Sequence, residues 1–323
     1  MIKLALMFSI LFHPFVGEEK IVQYKIPYSY YDLTEDIEKI QKKYRGNIQV
    51  TSIGKSTLGN DLFAIKLGSG KQNIVFIGAH HAREWMTTFL LMNMLEQYAD
   101  AYSKHTNIGP FDSNVFHEVS IWFIPQINPD GVMLQQGGLH FLSFVWKSYA
   151  IYLNDGSTDF TTWKANAIGI DLNRQYPAGW NEVPSRERPG PKNYKGTKPF
   201  QALEVKKLVD FIEETQPIMA VSYHSTGRVI YWNYGQNQNV KRDYSIAKKL
   251  AQLTSYKLAD PPQESYGAGF TDWFIDHYGR PAFTIEIGTF KKELPPSFHE
   301  IYEEWRRNQY VGIYLANEAK YFQ

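Results

Sequence analysis

The chain has 323 residues, of which 43% are hydrophobic and 15% aromatic, so it can bury a large core and does not have the composition of a disordered protein. Its net charge is +1, from 34 basic and 33 acidic residues with no long run of either sign, which argues against a nucleic-acid-binding or polybasic membrane-binding protein. Cysteine is absent, which excludes disulfides, thiol catalysis and thiolate metal sites, so any metal must be held by His, Asp or Glu.

The amino terminus has the pattern of an export signal. It carries one early lysine, an apolar stretch over 4–12 and a small residue at Gly17, and the stretch is too short to span a bilayer. We expect residues 1–17 to be a signal peptide and residues 18–323 to form a single domain; the alternative is a hydrophobic N-terminal strand or tail. No later segment has the length of a transmembrane helix, so we expect a soluble, secreted protein.

Helices and strands alternate along the rest of the chain. Hydrophobic periodicity predicts helices over 33–45, 85–102, 199–217, 244–254, 271–279 and 296–319. Apolar or alternating runs predict strands over 47–54, 61–68, 74–77, 119–127, 168–174, 218–225, 228–234 and 282–288. This order predicts one α/β domain with a mixed, twisted sheet of about eight strands flanked by helices. Two stretches, 131–162 and 180–199, look irregular and too long for plain connectors, and such loops often carry function.

Four of the predicted strands lead into isolated polar or ionisable residues. These residues are His81 and Glu84, then Asn173 and Arg174, then His224, and finally Glu286. In an open α/β sheet, ligands bind beyond the carboxyl ends of the strands, so the four segments are expected to build one site. Each residue also has a plainer explanation: His224 could be a hydrogen-bonded core histidine, and Arg174 could form an ordinary ion pair. Glu286 is harder to explain in this way, because a carboxylate buried in an apolar strand needs a partner or a metal.

Together these residue types indicate a catalytic zinc site. Zinc is bound by His nitrogen and carboxylate oxygen, and a catalytic site uses three protein ligands and one open position. His81 and Glu84 are three residues apart where a strand turns into a helix, so both can reach one ion. His80 is the rival ligand, but successive strand residues point to opposite faces, and the three-residue spacing favours His81.

With these motifs in order, the chain resembles the carboxypeptidase A-like zinc peptidases from about residue 24 to its end. The resemblance rests on "HAREW", "NPDG", "DLNR", "SYHS" and "TIE", in the family's order. It implies one zinc ion per chain, with His81, Glu84 and His224 as ligands and Glu286 as general base. It also implies that Arg83 polarises the scissile carbonyl. Asn173 and Arg174 match the pair that receives a substrate carboxylate.

Three positions differ from the digestive enzymes of that family. Lys164, after Trp163, stands where those enzymes have an arginine for the oxyanion; it supplies charge but not a bidentate fork. The mobile tyrosine that caps the pocket aligns only with a gap, and Tyr266 is the nearest candidate. Thr271 falls near the position that helps set side-chain preference and is neither aliphatic nor acidic.

Three stretches around these motifs read "WKANAIGIDLNRQYPAGW", "HSTGRVIYWNY" and "GAGFTDWF". In them the chain resembles a bacterial branch more closely, the gamma-D-glutamyl-L-diamino acid endopeptidases, which cut the gamma-D-glutamyl–diaminopimelate bond of cell-wall peptides. This resemblance implies an enzyme that hydrolyses muropeptides. With the predicted leader, we expect a secreted or cell-wall-associated protein, and we expect it to be a monomer. Arg228, four residues past His224, is our candidate for contacting the second, D-configured centre of diaminopimelate; a solvated strand residue is the alternative. A general carboxypeptidase and a catalytically inactive binding module remain the competing functions.

Overall fold

The computed structural model describes residues 20–289 and 298–322, so the predicted signal peptide lies outside the described residues. The described helices are α1 (Tyr30–Lys43), α2 (Met86–Lys104), α3 (Pro129–Gly137), α4 (Phe144–Leu153), α5 (Leu203–Thr215), α6 (Val240–Thr254), α7 (Phe270–Tyr278), α8 (Phe298–Asn308) and α9 (Val311–Ala319). The described strands are β1 (Ile48–Lys55), β2 (Asp61–Leu67), β3 (Gln72–Ile77), β4 (Asn107–Ile108), β5 (Phe111–Asp112), β6 (Val119–Ile124), β7 (Met219–Ser225), β8 (Val229–Tyr231), β9 (Lys257–Leu258) and β10 (Ala282–Ile287).

Eight of these strands form one mixed sheet in the order β1-β2-β6-β3-β7-β10-β8-β9. The four central strands, β6, β3, β7 and β10, run parallel to one another, and β2 and β8 flank them in the antiparallel sense. The carboxyl ends of the four parallel strands therefore meet at one edge of the sheet. The predicted α/β fold with a mixed sheet of about eight strands is confirmed.

Helices cover both faces of the sheet, which explains why apolar residues are buried on both faces of the central strands. One core packs α1, α2, α6 and α9 against one face, and a second core packs α5 and α7 against the other. In β6 all six residues are buried. Among the described residues, no helix combines the length and apolar character needed to cross a membrane.

The predicted N-terminal elements are present with small shifts of their ends. Helix α1 begins at Tyr30 because Ser29 and Asp32 form a capping box, in which each side chain accepts a hydrogen bond from the other's backbone N–H. Strands β1 and β2 form an antiparallel hairpin, and Gly59 at its turn has φ +91°, a conformation that favours glycine.

Two predictions about regular structure are wrong. The stretch 131–162 contains most of α3 and all of α4, and 168–174 is not a strand but a loop that ends in a short 3₁₀ turn over Leu172–Arg174. Helix α4 shows no single apolar stripe, because its exposed side includes Phe144 and Tyr152, so periodicity did not reveal it. The stretch 180–199 is free of helix and strand, as predicted.

The predicted terminal helix is two helices, α8 and α9. The hydroxyl of Tyr98 donates to Gln309 O at 2.8 Å and accepts from Ile313 N at 3.1 Å. In a continuous helix, Ile313 N would donate to Gln309 O directly, so the inserted hydroxyl separates one helical turn from the next. Gly312 allows this close approach, since a Cβ there would lie 2.7 Å from the Tyr98 ring.

Candidate functional site

Strand register places two of the predicted site residues side by side. In the parallel pair of β7 and β10, His224 lies opposite Glu286 and Ser222 lies opposite Thr284. Residues two apart on a strand share a face, so these four side chains lie on the same face of the sheet near its carboxyl edge. The sequence placed His224 and Glu286 at strand ends, and the pairing makes them neighbours.

The chain turns sharply after β3 and brings two further residues to the same place. Ala79 has φ +49°, a left-handed conformation that costs energy for a residue other than glycine, and its N–H donates to Thr87 Oγ1 at 2.8 Å. A short 3₁₀ turn over Ala82–Glu84 follows, held by a bond from Ala82 N to Lys164 O at 3.0 Å. His81 and Glu84 leave this turn on the side that faces His224.

His81, Glu84 and His224 are buried and form a group suited to a metal ion. One potential ligand atom from each lies within 4.8 Å of the other two. The two Nδ1 atoms are 3.1 Å apart, and the two oxygens of Glu84 are each 2.9 Å from one of them. Nitrogens bound to a tetrahedral zinc ion at about 2.0–2.1 Å lie roughly 3.4 Å apart. The donor set and its spacing therefore fit zinc.

His80, the rival ligand, faces elsewhere. It is fully buried, and its two ring nitrogens lie 3.2 Å from Ser222 Oγ and 3.2 Å from Tyr176 OH. Burial, together with the positive charges of His224 and His81, holds the pKa of His80 well below its usual range. His80 is thus a neutral core histidine, and the group suited to a metal ion contains His81 rather than His80.

Asp171 is a site residue to which the sequence reasoning gave no role. Its Oδ1 lies 3.2 Å from His81 Nε2, and its Oδ2 lies 3.5 Å from Lys164 Nζ. Burial acts to raise the pKa of Asp171, but the charges of Lys164 and His81 outweigh it and hold the pKa well below its usual range. A carboxylate behind a metal-ligating histidine fixes the ring's orientation and raises its basicity. The signal was available, since Asp171 opens the "DLNR" motif.

The two glutamates of the site have opposite electrostatic environments. Burial acts to raise the pKa of Glu84, but His81 and His224 outweigh it and hold that pKa well below its usual range. Burial and the negative charge of Glu84 raise the pKa of Glu286 well above its usual range, whereas Lys164 and Arg83 act in the opposite direction. Two carboxyl groups with pKa values driven apart are typical of a site where one binds and the other exchanges protons.

A cavity opens over these residues and collects most of the predicted site. Among its lining residues are seven that the sequence predicted: His81, Lys164, Asn173, Arg174, His224, Thr271 and Glu286. Asn173 Oδ1 accepts from Phe270 N at 2.9 Å, which orients its amide. Arg174 is 8% exposed, and its guanidinium lies 3.4 Å from Ser265 Oγ. Asn173 and Arg174 are supplied by the short 3₁₀ turn over Leu172–Arg174 rather than by a strand.

The cavity also contains an acid that the sequence reasoning missed. Asp272 Oδ2 accepts from Gly267 N at 3.1 Å and from Gly269 N at 3.2 Å. Burial raises the pKa of Asp272 to about 6, and the two backbone donors limit that rise. Its neighbour Thr271 bonds Thr284 Oγ1 at 2.7 Å, so this wall is polar. Periodicity indicated only that residues 271–279 are helical and did not say which of them face the cavity.

The structure places the remaining predicted residues differently. Arg83 is partly buried and acts on Glu286 through its charge. Tyr266 is 42% exposed and does not line the cavity; its hydroxyl accepts from Gly235 N at 2.8 Å. This arrangement does not give Tyr266 the predicted capping position.

The prediction that Arg228 contacts the substrate does not agree with the structure. Its guanidinium pairs with Glu303 at 2.8 Å and with Glu304 at 2.7 Å, both on α8. Arg228 is absent from the lining of the cavity. It is neither a pocket residue nor a solvated strand residue but an anchor for α8.

Comparisons with known proteins agree with this fold and this site. The family model described as "Zinc carboxypeptidase" matches residues 33–311. The gamma-D-glutamyl-L-diamino acid endopeptidase 1 of Lysinibacillus sphaericus is 33% identical over 294 residues, which cover 90% of this chain and 72% of that protein. The metallocarboxypeptidase A of Trichophyton rubrum is 27% identical over 254 residues, which cover 72% of this chain and 56% of that protein.

A solved structure shows the same fold at low sequence identity. Bovine thrombin-activatable fibrinolysis inhibitor, in complex with tick carboxypeptidase inhibitor, superposes with a TM-score of 0.73 at 19% identity, covering 93% of this chain and 98% of that one. The family match spans most of the chain, and the group suited to a metal ion lies within it. The chain therefore belongs to the zinc carboxypeptidase family and is a zinc metallopeptidase.

Proposed function

We propose that this metallopeptidase hydrolyses the gamma-D-glutamyl–diaminopimelate bond of peptidoglycan stem peptides, with one zinc ion held by His81, Glu84 and His224. The observation that carries the proposal is the single cavity in which two of these ligands, Glu286 and the polar pair Asn173 and Arg174 meet. The similarity to a gamma-D-glutamyl-L-diamino acid endopeptidase over 90% of the chain supports the substrate class.

The roles of the residues follow from their positions. Zinc held by His81, Glu84 and His224 would polarise the scissile carbonyl of the substrate and make the attacking water more acidic. Glu286 accepts a proton from the attacking water and returns it to the leaving amine. Lys164, which lines the cavity, and Arg83 supply positive charge where negative charge develops on the carbonyl oxygen.

Binding of the leaving side falls to Arg174 and Asn173. Arg174 is buried at the cavity wall, where a charge-assisted bond to a substrate carboxylate is strong. Asn173, the residue before Arg174, is held in place by a hydrogen bond from Phe270 N. These two residues orient the diamino acid so that its acylated amine lies over Glu286.

The second candidate is a general carboxypeptidase that removes C-terminal residues from ordinary peptides. Arg174 would serve equally well on a C-terminal carboxylate, and the Trichophyton rubrum metallocarboxypeptidase A is also a relative. The two functions differ in the bond that is cut and in the need for a free carboxyl terminus.

Mass spectrometry of three digests separates these functions. The substrates are a muropeptide with a gamma-D-glutamyl–diaminopimelate bond, an L-peptide with a free carboxyl terminus, and the same L-peptide with a C-terminal amide. We expect cleavage of the muropeptide between gamma-D-glutamate and diaminopimelate, and little loss from either L-peptide. Release of C-terminal residues from the free L-peptide, with an intact muropeptide, would support the carboxypeptidase instead.

Export remains part of the proposal. Its support is the leader pattern in residues 1–17, since a substrate in the cell wall requires an enzyme outside the membrane. Recovery of the protein from culture medium with its first residue near position 18 is the expected result, and retention in the cytoplasm with an intact first methionine would contradict it.

A further inference from the structure

A second groove adjoins the catalytic cavity at Arg174. Arg174 lines both the cavity and this groove, whose other walls come largely from residues 184–193. The groove is also lined by Asp155 and Glu264. It belongs to the irregular stretch 180–199, and the proposed mechanism gives it no role. A substrate carboxylate on Arg174 would have this groove directly beside it.

The groove is held firmly to the site although it contains no helix or strand. Asn193 N donates to Asp171 Oδ2 at 3.2 Å, and Asp171 is the carboxylate behind His81. Lys164 N and Ala165 N both donate to Pro191 O, at 2.9 Å and 3.0 Å. The wall of the groove is therefore positioned by the same residues that position the catalytic groups.

The lining of the groove contains both basic and acidic side chains. Residues 180–199 include five basic and two acidic residues. Arg186, whose side chain is 25% exposed, pairs with Asp155 at 2.6 Å, and Arg188 pairs with the same carboxylate oxygen. One carboxylate shared between two guanidinium groups leaves a net positive charge, and Lys192 is a further basic residue of the lining. Glu264 contributes a carboxylate from the segment before α7.

We infer that this groove is a second subsite of the enzyme, in which Arg186 and Lys192 bind a second carboxylate on the leaving side of the substrate. The inference rests on the proposed function. The side chain of diaminopimelate ends in a carbon that bears both a carboxylate and an ammonium group. Arg186 and Lys192 match the carboxylate, and Glu264 matches the ammonium. The carboxyl terminus of a residue that follows the diamino acid offers the same carboxylate without the ammonium.

Four peptides and one variant test the subsite. The peptides carry the gamma-D-glutamyl bond to either diaminopimelate or lysine, each with and without a following D-alanine, and lysine lacks the second carboxylate. We expect Arg186→Gln to lower kcat/KM by about tenfold or more on both diaminopimelate peptides, since a lost charge-assisted bond has an effect of this size. Both lysine peptides should stay within about threefold of the wild type.

The matched control is Lys198→Gln, which removes one positive charge from an exposed position in the same stretch but outside the groove. This variant should have the same kcat/KM as the wild type on all four peptides. Arg186→Gln is expected to fold, because Asp155 keeps Arg188 as a partner. If it does not fold, Lys192→Gln provides the same comparison.

The outcomes are distinguishable. A loss confined to the two peptides extended by D-alanine also supports a carboxylate subsite and assigns it to the C-terminal carboxylate. Equal losses on all four peptides, or no loss on any, overturn the subsite while leaving the proposed function intact. Failure of the wild type to cut any of the four overturns the proposed function, and the subsite with it.

Discussion

At the scale of single residues, Glu286 is the proposed general base of the site. It lies in a strand whose other residues are buried, beside His224, one of the three proposed zinc ligands. Burial and Glu84 favour its protonated form, whereas Lys164 and Arg83 favour the carboxylate that a general base needs. A half-buried carboxyl group subject to opposing influences of this kind is suited to proton exchange.

Replacing Glu286 by glutamine tests this role. Glu286→Gln keeps the size and hydrogen-bonding capacity of the side chain but cannot accept the water's proton, so kcat should fall by roughly 10²- to 10⁴-fold. Zinc content should not change, because Glu286 is not among the three proposed ligands. The control is Glu118→Gln, an exposed position just before β6 at the opposite edge of the sheet. Activity of Glu286→Gln within threefold of the wild type would exclude it as the base.

The sequence predicted the residues that follow strands better than those fixed by distant partners. His81, Glu84, His224 and Glu286 are recognisable because each interrupts or ends an apolar segment. Arg228 could not be placed in the same way, because its partners lie 75 and 76 residues further along the chain. The sequence alone does not show whether a basic residue near a metal site binds substrate or anchors a helix, because that depends on which distant residues it contacts in the fold.

At the scale of elements, the sequence predicted the strands of the sheet better than the ends and breaks of the helices. The apolar runs of β3 and β6 agree with their burial between two layers of helices. The break between α8 and α9 does not follow from an apolar run, because it depends on the hydroxyl of Tyr98 in α2. Helix α4 escaped detection because its apolar residues are exposed as well as buried.

The anchor between β8 and α8 gives a prediction at this scale. Arg228→Met removes charge-assisted bonds to Glu303 and Glu304, and Glu304 is only 1% exposed. A buried carboxylate that loses such a partner costs about 1–3 kcal/mol, so the free energy of unfolding in urea should fall by that amount. Lys39→Met, which removes an exposed ion pair within α1, is the control and should leave the unfolding midpoint unchanged.

The same variant separates anchoring from substrate recognition. Arg228→Met should leave the ratio of kcat/KM for diaminopimelate and lysine peptides as it is in the wild type. A selective loss on the diaminopimelate peptide, without a change in stability, would return Arg228 to the substrate site.

At the scale of the whole molecule, the fold brings distant segments to one edge of the sheet. The three proposed ligands come from positions 81, 84 and 224, and they meet because β3 and β7 are adjacent parallel strands. The groove along 180–199 is tied to the same edge through Asp171 and Lys164. The central claim is therefore that these strand ends form one zinc site. The proposed catalytic residues and both proposed substrate-binding regions lie around this site.

Metal analysis of the purified protein tests this claim most directly. We expect one zinc ion per chain in the wild type and in Glu286→Gln, and no stoichiometric zinc in His224→Ala, because two remaining ligands do not complete a catalytic site. Circular dichroism should show that His224→Ala keeps its helices and strands. Zinc that remains at one ion per chain in folded His224→Ala, or a wild type that binds none, would contradict the account.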